Sequence, residues 1–121
     1  MRLKQYGFFA ELDHGDDEGG SLSTLRGTAA YDDEQRQRIV SYLKNGQLYI
    51  GCPGAVVDVL SDENNTIGSP NILTDGEWAW PEDLAYYVAN YDVPIPDGMR
   101  ETMERNGWFV ANEIELAELE L

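Results

Sequence analysis

The sequence predicts an α+β fold: a single domain, 1–121, with a small, mainly antiparallel sheet covered by two or three helices. A hairpin signal at Asp75-Gly76 predicts paired strands, and two segments with helical spacing start at acidic or proline residues. Apolar residues make up 42% of the 121 positions and aromatic residues 11%, which is enough for one hydrophobic core.

The first third of the chain predicts a strand, a loop and a helix. Residues 3–12 are apolar with polar interruptions and form the first predicted strand. Residues 13–21 combine acids with glycines, so a mobile acidic loop is expected there. The pattern of 22–31 does not decide between helix and strand. A helix is expected from Asp32 to Asn45-Gly46, because acids favour the N-terminal turn of a helix and glycine favours its end.

The middle of the chain predicts strands at 48–50 and 56–60, separated by a glycine- and proline-rich turn. Residues 71–74 and 77–80 flank Asp75-Gly76, a pair that tolerates the positive φ angles of a two-residue hairpin turn. Side chains alternate along a strand, so Trp78 and Trp80 are expected on the same face of the sheet.

Two helices and a tail are expected in the last third. Pro81 can occupy the first turn of a helix, where a missing N–H costs nothing. Asp97 is expected to cap a further helix that ends near Asn106-Gly107. Residues 111–121 fit a strand or a short helix equally well, and fraying is expected at this end.

Charge is the strongest functional signal in the sequence. The chain has 23 acidic and 8 basic residues, a formal net charge of −15. Between Lys44 and Arg100 there are nine carboxylates and no lysine or arginine. Such a surface repels nucleic acid and anionic lipid and attracts basic proteins. In the alternative interpretation, the acidity serves only to keep the domain soluble.

Several classes of protein are disfavoured. The chain has no run of about 18 apolar residues that would predict a membrane-spanning helix. Its N-terminal residues lack the apolar region and cleavage site of a signal peptide. One cysteine excludes an internal disulfide framework and fits a reducing compartment. We therefore expect a cytoplasmic protein that contacts neither membrane nor nucleic acid directly; the oligomeric state is not predicted.

No set of residues predicts catalysis, a cofactor or a metal site. Cys52 could be a nucleophile activated by His14, but a lone cysteine beside a strand is more often a small buried hydrophobe. Carboxylates between Asp13 and Glu18 have spacings that suit Ca²⁺, but they lack the EF-hand order. One cysteine and one histidine cannot form a Cys/His zinc site within the chain. We expect that the protein is not an enzyme.

The hairpin and the residues after it are the predicted binding site for a basic protein. Aromatic rings stack on Lys and Arg through cation–π contacts, and carboxylates pair with guanidinium groups. In one interpretation the tryptophans belong to the core; in the other, some rings are exposed between the acids. The predicted partner-binding residues are Asp75, Glu77, Trp78, Trp80, Glu82, Asp83 and Tyr86.

Two patterns resemble known bacterial families. The first pattern begins with the hairpin and the motif Trp-x-Trp-Pro-x-Asp-Leu-x-Tyr-Tyr from Trp78. A break flanked by prolines and a helix that closes at Asn106-Gly107 follow. This order of elements resembles the immunity proteins of toxin–immunity systems. Ile95-Pro96-Asp97 followed by Asn106-Gly107 is similar to the Leu-Pro…Asn-Gly element of the SMI1/KNR4 superfamily, which carries it nearer the N-terminus. The resemblance implies an inhibitor or immunity protein that neutralises a cationic protein such as a nuclease toxin.

Two other functions are compatible with the charge. A DNA mimic would antagonise a DNA-binding protein, and it would need carboxylates at the spacing of phosphates, about 3.4 Å per strand step. No regular acidic repeat of this kind is visible along one predicted helix. The remaining alternative is an interaction module with no catalytic role.

Overall fold

The computed structural model describes residues 1–12, 15–16 and 20–121. Its helices and strands over these residues confirm the predicted α+β class. In chain order they are β1 (Lys4–Gln5), α1 (Leu22–Leu25), α2 (Asp33–Lys44), β2 (Gln47–Ile50), β3 (Val56–Val57), β4 (Thr66–Gly68), β5 (Ile72–Thr74), β6 (Trp78–Pro81), α3 (Leu84–Tyr91), α4 (Asp97–Arg105) and a final 3₁₀ turn (Leu116–Glu118).

The main sheet has the strand order β1-β6-β5-β2, and a separate hairpin pairs β3 with β4. β1 runs parallel to β6, and the other pairs are antiparallel. The predicted strand 3–12 is corrected to two residues. Gly7 has a φ of +97°, which is outside the strand region, and a Cβ there would lie 2.9 Å from Cδ of Pro81, so this position requires glycine and does not continue the strand.

The β5–β6 turn lies one residue further along the chain than the sequence predicts. Asp75 N–H donates to the Trp78 carbonyl at 3.3 Å, so Gly76 and Glu77 are the two central residues. The Asp75 carboxylate accepts from the N–H groups of Glu77 (2.9 Å) and Trp78 (2.7 Å). Asp75 therefore closes the turn through its side chain, an Asx-type role, instead of occupying its centre.

α2 follows its prediction. Asp32 is its N-cap, with a carboxylate that accepts from the Gln35 N–H at 2.7 Å. The helix ends at Asn45-Gly46, where the chain passes close to an indole ring. A Cβ on Gly46 would lie 2.5 Å from Cζ2 of Trp80, so glycine is required for this close approach. The undecided segment 22–31 contains α1, whose first turn is capped by Ser21 and Glu11.

α3 and α4 also form near their predicted positions. Pro81 ends β6, opposite Ile72, and α3 begins three residues later. Asp97 is the first residue of α4 and not its cap, because Pro96 occupies the capping position. The buried side chains of α3 (Leu84, Ala85, Tyr87 and Val88) and of α4 (Met99, Thr102 and Met103) pack inwards.

The tryptophans and the tail lie against different faces of the main sheet. Trp80 Nε1 donates to the Leu43 carbonyl in α2, and Trp78 Nε1 donates to Thr102 Oγ1 in α4. Residues 111–121 run along the other face, with five hydrogen bonds to the first strand region and β2. The donors and acceptors are Gln47 Nε2 and the Ala111 carbonyl, Tyr49 OH and the Leu119 carbonyl, Leu3 N–H and the Glu120 carbonyl, Glu120 N–H and the Met1 carbonyl, and the Met1 amine and the Glu118 carbonyl.

Two sequence expectations fall partly outside the structure. Of the predicted mobile loop 13–21, residues 13–14 and 17–19 lie outside the described residues, as does any contact between His14 and Cys52. Among the helices that the structure describes, none is long and apolar enough to cross a membrane.

Candidate functional site

The structure buries four of the seven residues predicted to bind a partner and leaves three partly exposed. Trp80 is fully buried under α2, so it offers no ring to a partner. Trp78 is also in the core, and the cation nearest its ring is Lys4 of the same chain, 5.7 Å from the ring centroid. The expectation of tryptophan anchors is therefore corrected, because the face they share is the face covered by helices.

Two of the buried residues are acids. Asp75 accepts from the Tyr42 hydroxyl at 2.6 Å, and Asn106 Nδ2 donates to that hydroxyl at 3.0 Å. Burial, followed by the bond to Asp75, raises the pKa of Tyr42 well above its ordinary value, so the phenol stays protonated as the donor. Asp83 is buried at the start of α3. Both carboxylates lie within the fold, which corrects their prediction as surface contacts.

Glu77 is partly exposed, but its carboxylate already has cationic neighbours. Arg105 Nη2 lies 2.6 Å from Oε1, and Lys4 Nζ lies 3.9 Å from Oε2. The Thr102 hydroxyl donates to Oε2. The hydrogen bond from Thr102 is the largest cause that lowers the pKa of Glu77, and the two cations lower it further. Its negative charge is therefore balanced within the chain.

Tyr86 belongs to a cluster with Asp58, an acid that the sequence analysis did not single out. Asp58 is 2% exposed, and its Oδ2 accepts from Tyr86 OH at 2.7 Å and from Tyr91 OH at 2.6 Å. The Leu60 N–H donates to Oδ1 at 2.8 Å. Burial opposes ionisation of this carboxyl, but the three hydrogen bonds outweigh it and lower the pKa of Asp58. The hydrogen bond between Tyr86 and Asp58 raises the pKa of Tyr86 to about 12.

Glu82 and Tyr86 both line a groove of about 580 Å³ beside the free edge of β2. The Glu82 carboxylate accepts from the Ser69 N–H at 3.0 Å and from Asn71 Nδ2 at 3.3 Å. Five apolar side chains, Leu48, Ile67, Leu73, Ala85 and Ala89, share the lining with Lys44, Gly46, Asn71 and Asn90. Of the predicted residues, these two are the pair that the structure brings together at a surface cleft.

The most exposed aromatic ring in the described residues is Phe109, which the sequence analysis did not select. Its side chain is 64% exposed. Gly107 and Trp108 precede it with φ angles of +66° and +61°, and the Trp108 N–H donates to the Met103 carbonyl at 2.9 Å. Trp108 packs against the core, and Val110 is buried within it. The left-handed turn thus holds Phe109 outwards between two residues fixed by packing.

Acidic side chains follow Phe109 in sequence. Phe109 and Glu113 line a second groove, of about 500 Å³, together with Asp75, Asn106, Ala111 and Asn112. We use the name C-terminal acidic segment for residues 109–121, whose exposed carboxylates are Glu113, Glu115, Glu118 and Glu120. With other described residues these four carboxylates make no ion pair. After Arg105 the sequence has no lysine or arginine, a signal that could have identified this segment.

The described residues offer no obvious catalytic or metal centre. Cys52 is partly buried, and its N–H donates to the Asn71 side chain at 2.9 Å. Over the ranges that the structure describes, no group of three or more His, Cys, Asp or Glu side chains is placed to hold a metal ion. No known protein family, curated protein or solved structure matches this chain, so its function is inferred from geometry and charge.

Proposed function

We propose that this protein is an inhibitor or immunity-type protein that binds and neutralises a basic protein, such as a nuclease toxin, through its C-terminal acidic segment. The observation that carries the proposal is the exposed ring of Phe109 beside Glu113, followed by three further exposed glutamates that form no ion pair with any other residue the structure describes. An aromatic ring surrounded by carboxylates complements Lys and Arg side chains.

The chemistry divides between the ring and the acids. Burial of an aromatic side chain at the centre of an interface commonly gives the largest share of binding energy. The carboxylate of Glu113 and the acids further along the segment would accelerate association with a basic surface and select against acidic partners. On a nuclease, the Lys and Arg residues that receive nucleic-acid phosphates would pair with these carboxylates instead. The protein would thereby inhibit without any catalytic step of its own.

Backbone strain next to Phe109 supports the same assignment. A positive φ at a bulky residue such as Trp108 costs on the order of 1–3 kcal/mol and persists only where the surroundings enforce it. Such strain is concentrated at functional sites. Here the turn directs the apolar ring of Phe109 to the surface, where the ring itself gains no burial.

The acids of the 45–99 stretch are less suited to this role. Three of the nine, Asp58, Asp75 and Asp83, are buried. Three others have arginine partners: Glu77 contacts Arg105, Asp92 lies 2.7 Å from Nη2 of Arg36, and Asp97 lies 3.4 Å from Nη2 of Arg100. The proposal therefore moves the main contact from the predicted hairpin to the C-terminal acidic segment.

The test begins with capture of partners from the source organism on the tagged chain at about 50 and 200 mM salt, a range over which exposed charge contacts weaken. We expect one basic protein to be retained and its own activity, for example nucleic-acid cleavage, to fall when the purified chain is added. Phe109→Ala should weaken its binding about 30-fold, the effect of a typical interface hot spot.

The matched control is Val59→Ala, which shortens another exposed apolar side chain, away from the segment. It should bind like the wild type. Basic proteins recovered without selectivity, lost at the higher salt and unaffected by Phe109→Ala, would show that the acidity serves solubility only. Retention of a partner whose activity is unchanged would reject inhibition and leave a binding module.

A further inference from the structure

The outer side of β2 is an open sheet edge. β2 pairs with β5 on one side, and in the described part of the chain no strand pairs with the other. The strand Gln47–Ile50 has no charged residue, and Leu48 is 52% exposed. Folded proteins usually protect such edges with charges, prolines or a covering element, because the free N–H and C=O groups can pair with another chain.

A groove continues from this edge towards α3. It is the cleft of about 580 Å³ described above, and Leu48 lies where the strand and the groove meet. Its charged lining residues are Glu82 and Lys44, and Tyr86, Asn71 and Asn90 are its larger polar ones. An open edge beside a cleft with both apolar and polar lining residues suits the recognition of extended peptides, in which main-chain bonds give affinity and side-chain pockets give specificity.

We propose that β2 and this groove bind an extended, basic segment of a partner protein, which adds to the sheet as a fifth strand. Alternate residues of the added strand face the groove. An apolar side chain would pack on Leu48 and Ile67, and a lysine or arginine two positions away would pair with Glu82.

Charge selects a basic partner over a second copy of this chain. Each copy has a formal charge of −15, so pairing of two β2 edges would bring strongly repelling molecules together. A basic segment is attracted by the same field. Glu82 already accepts two hydrogen bonds from within the chain, and a carboxylate has room for further donors.

This surface is separate from the one around Phe109. The two grooves have no lining residue in common. The inference therefore does not rest on the proposed inhibitory function, and a failure of either one leaves the other open to its own test.

The experiment uses a synthetic probe, the blocked octapeptide Val-Thr-Lys-Thr-Val-Thr-Lys-Thr, titrated into the isotope-labelled protein and followed by amide chemical shifts. We expect the largest shifts at β2, with slower hydrogen exchange of its outward N–H groups. Leu48→Thr should weaken binding about fivefold through loss of apolar burial. Val57→Thr, the same kind of change at an exposed strand valine in β3, should have no effect.

Two further variants separate charge and backbone contributions. Glu82→Gln should weaken binding of the lysine peptide, whereas Glu101→Gln on the exposed side of α4 should not. A peptide methylated at every backbone nitrogen cannot donate to the edge and should not bind. Phe109→Ala should leave peptide binding unchanged.

Three results would overturn the proposal: no shift at β2 with the lysine peptide, equal binding of a peptide with Glu in place of Lys, or undiminished binding of the methylated peptide. Concentration-dependent dimerisation that Leu48→Thr abolishes would also overturn it, because the edge would then serve a second copy of this chain.

Discussion

The molecule has two regions where acids meet aromatic rings, and it uses them in opposite ways. Around Asp58, the hydroxyls of Tyr86 and Tyr91 donate to a carboxylate that is almost fully buried. Around Phe109, the ring is exposed and the nearby carboxylate of Glu113 has no cationic partner among the described residues. The composition of the two regions is similar, but only the second leaves its charge available to another molecule.

The two regions differ because tyrosine has a hydroxyl group on its ring and phenylalanine has none. A tyrosine can satisfy a buried carboxylate with its hydroxyl, and the Asp58 cluster thereby ties the 56–60 segment to α3. Phenylalanine has no donor, so an acid beside it must find water or a partner. Acidic and aromatic composition alone therefore does not locate a binding surface; the hydrogen-bond state of each carboxylate does.

The largest expected effect comes from breaking the internal cluster. Asp58→Ala removes the acceptor of two hydroxyls and of the Leu60 N–H, and it should lower the free energy of unfolding by about 2–3 kcal/mol. Glu113→Ala should change it by less than about 0.5 kcal/mol, as expected for an exposed side chain. Urea unfolding of both variants and the wild type measures these changes in the free energy of unfolding.

Tyr86→Phe provides a milder control for the same cluster. It removes one hydrogen bond and keeps the ring, so it should cost about 1 kcal/mol. Equal stability of Asp58→Ala and Glu113→Ala would show that the buried carboxylate contributes nothing net and would remove the distinction between the two regions.

The pH dependence of stability gives the next test. The pKa of Asp58 is lower in the folded chain than its ordinary value of about 3.9. Its contribution is therefore present above the unfolded pKa and is lost as the pH falls through the folded one. Asp58→Asn should make the fall in stability below about pH 5 shallower.

Glu113→Gln is the matched control, since it also removes one carboxylate. It should retain the steeper acid dependence of the wild type in thermal unfolding between pH 2 and pH 6, a range that brackets ordinary carboxyl pKa values. Indistinguishable acid slopes for Asp58→Asn and the wild type would contradict the hydrogen-bonded, ionised state assigned to Asp58.

The smallest effect concerns the exposed acids. The quadruple variant E113Q/E115Q/E118Q/E120Q removes four like charges, so it should stabilise the chain by a few tenths of a kcal/mol at low salt. The gain should disappear near 1 M salt, where charges are screened over about 3 Å. Glu34→Gln should give no gain, because Glu34 is paired with Arg38 at 2.7 Å. A salt-independent gain would point to a local structural cause.

Local signals account for the parts of the fold that the sequence predicts. Asp32 and Gly46 delimit α2 because capping and helix ending depend on a few neighbouring residues. The glycine that follows β1, Gly7, depends instead on its close approach to Pro81 and Leu84, far along the chain. The site follows the same division, since no local pattern tells that Asp58 accepts from Tyr86 and Tyr91 while Glu113 has no hydrogen-bond donor among the described residues.

The pairing of residue 3 with residue 120 has a kinetic consequence. Contacts between sequence-distant residues form slowly, because the chain must lose much of its freedom before they are made. We expect α2 and the β5–β6 hairpin to form early, and the bonds from Gln47, Tyr49 and Leu3 to residues 111, 119 and 120 to close last. The C-terminal acidic segment would then take up its final position only in a chain whose core is already assembled.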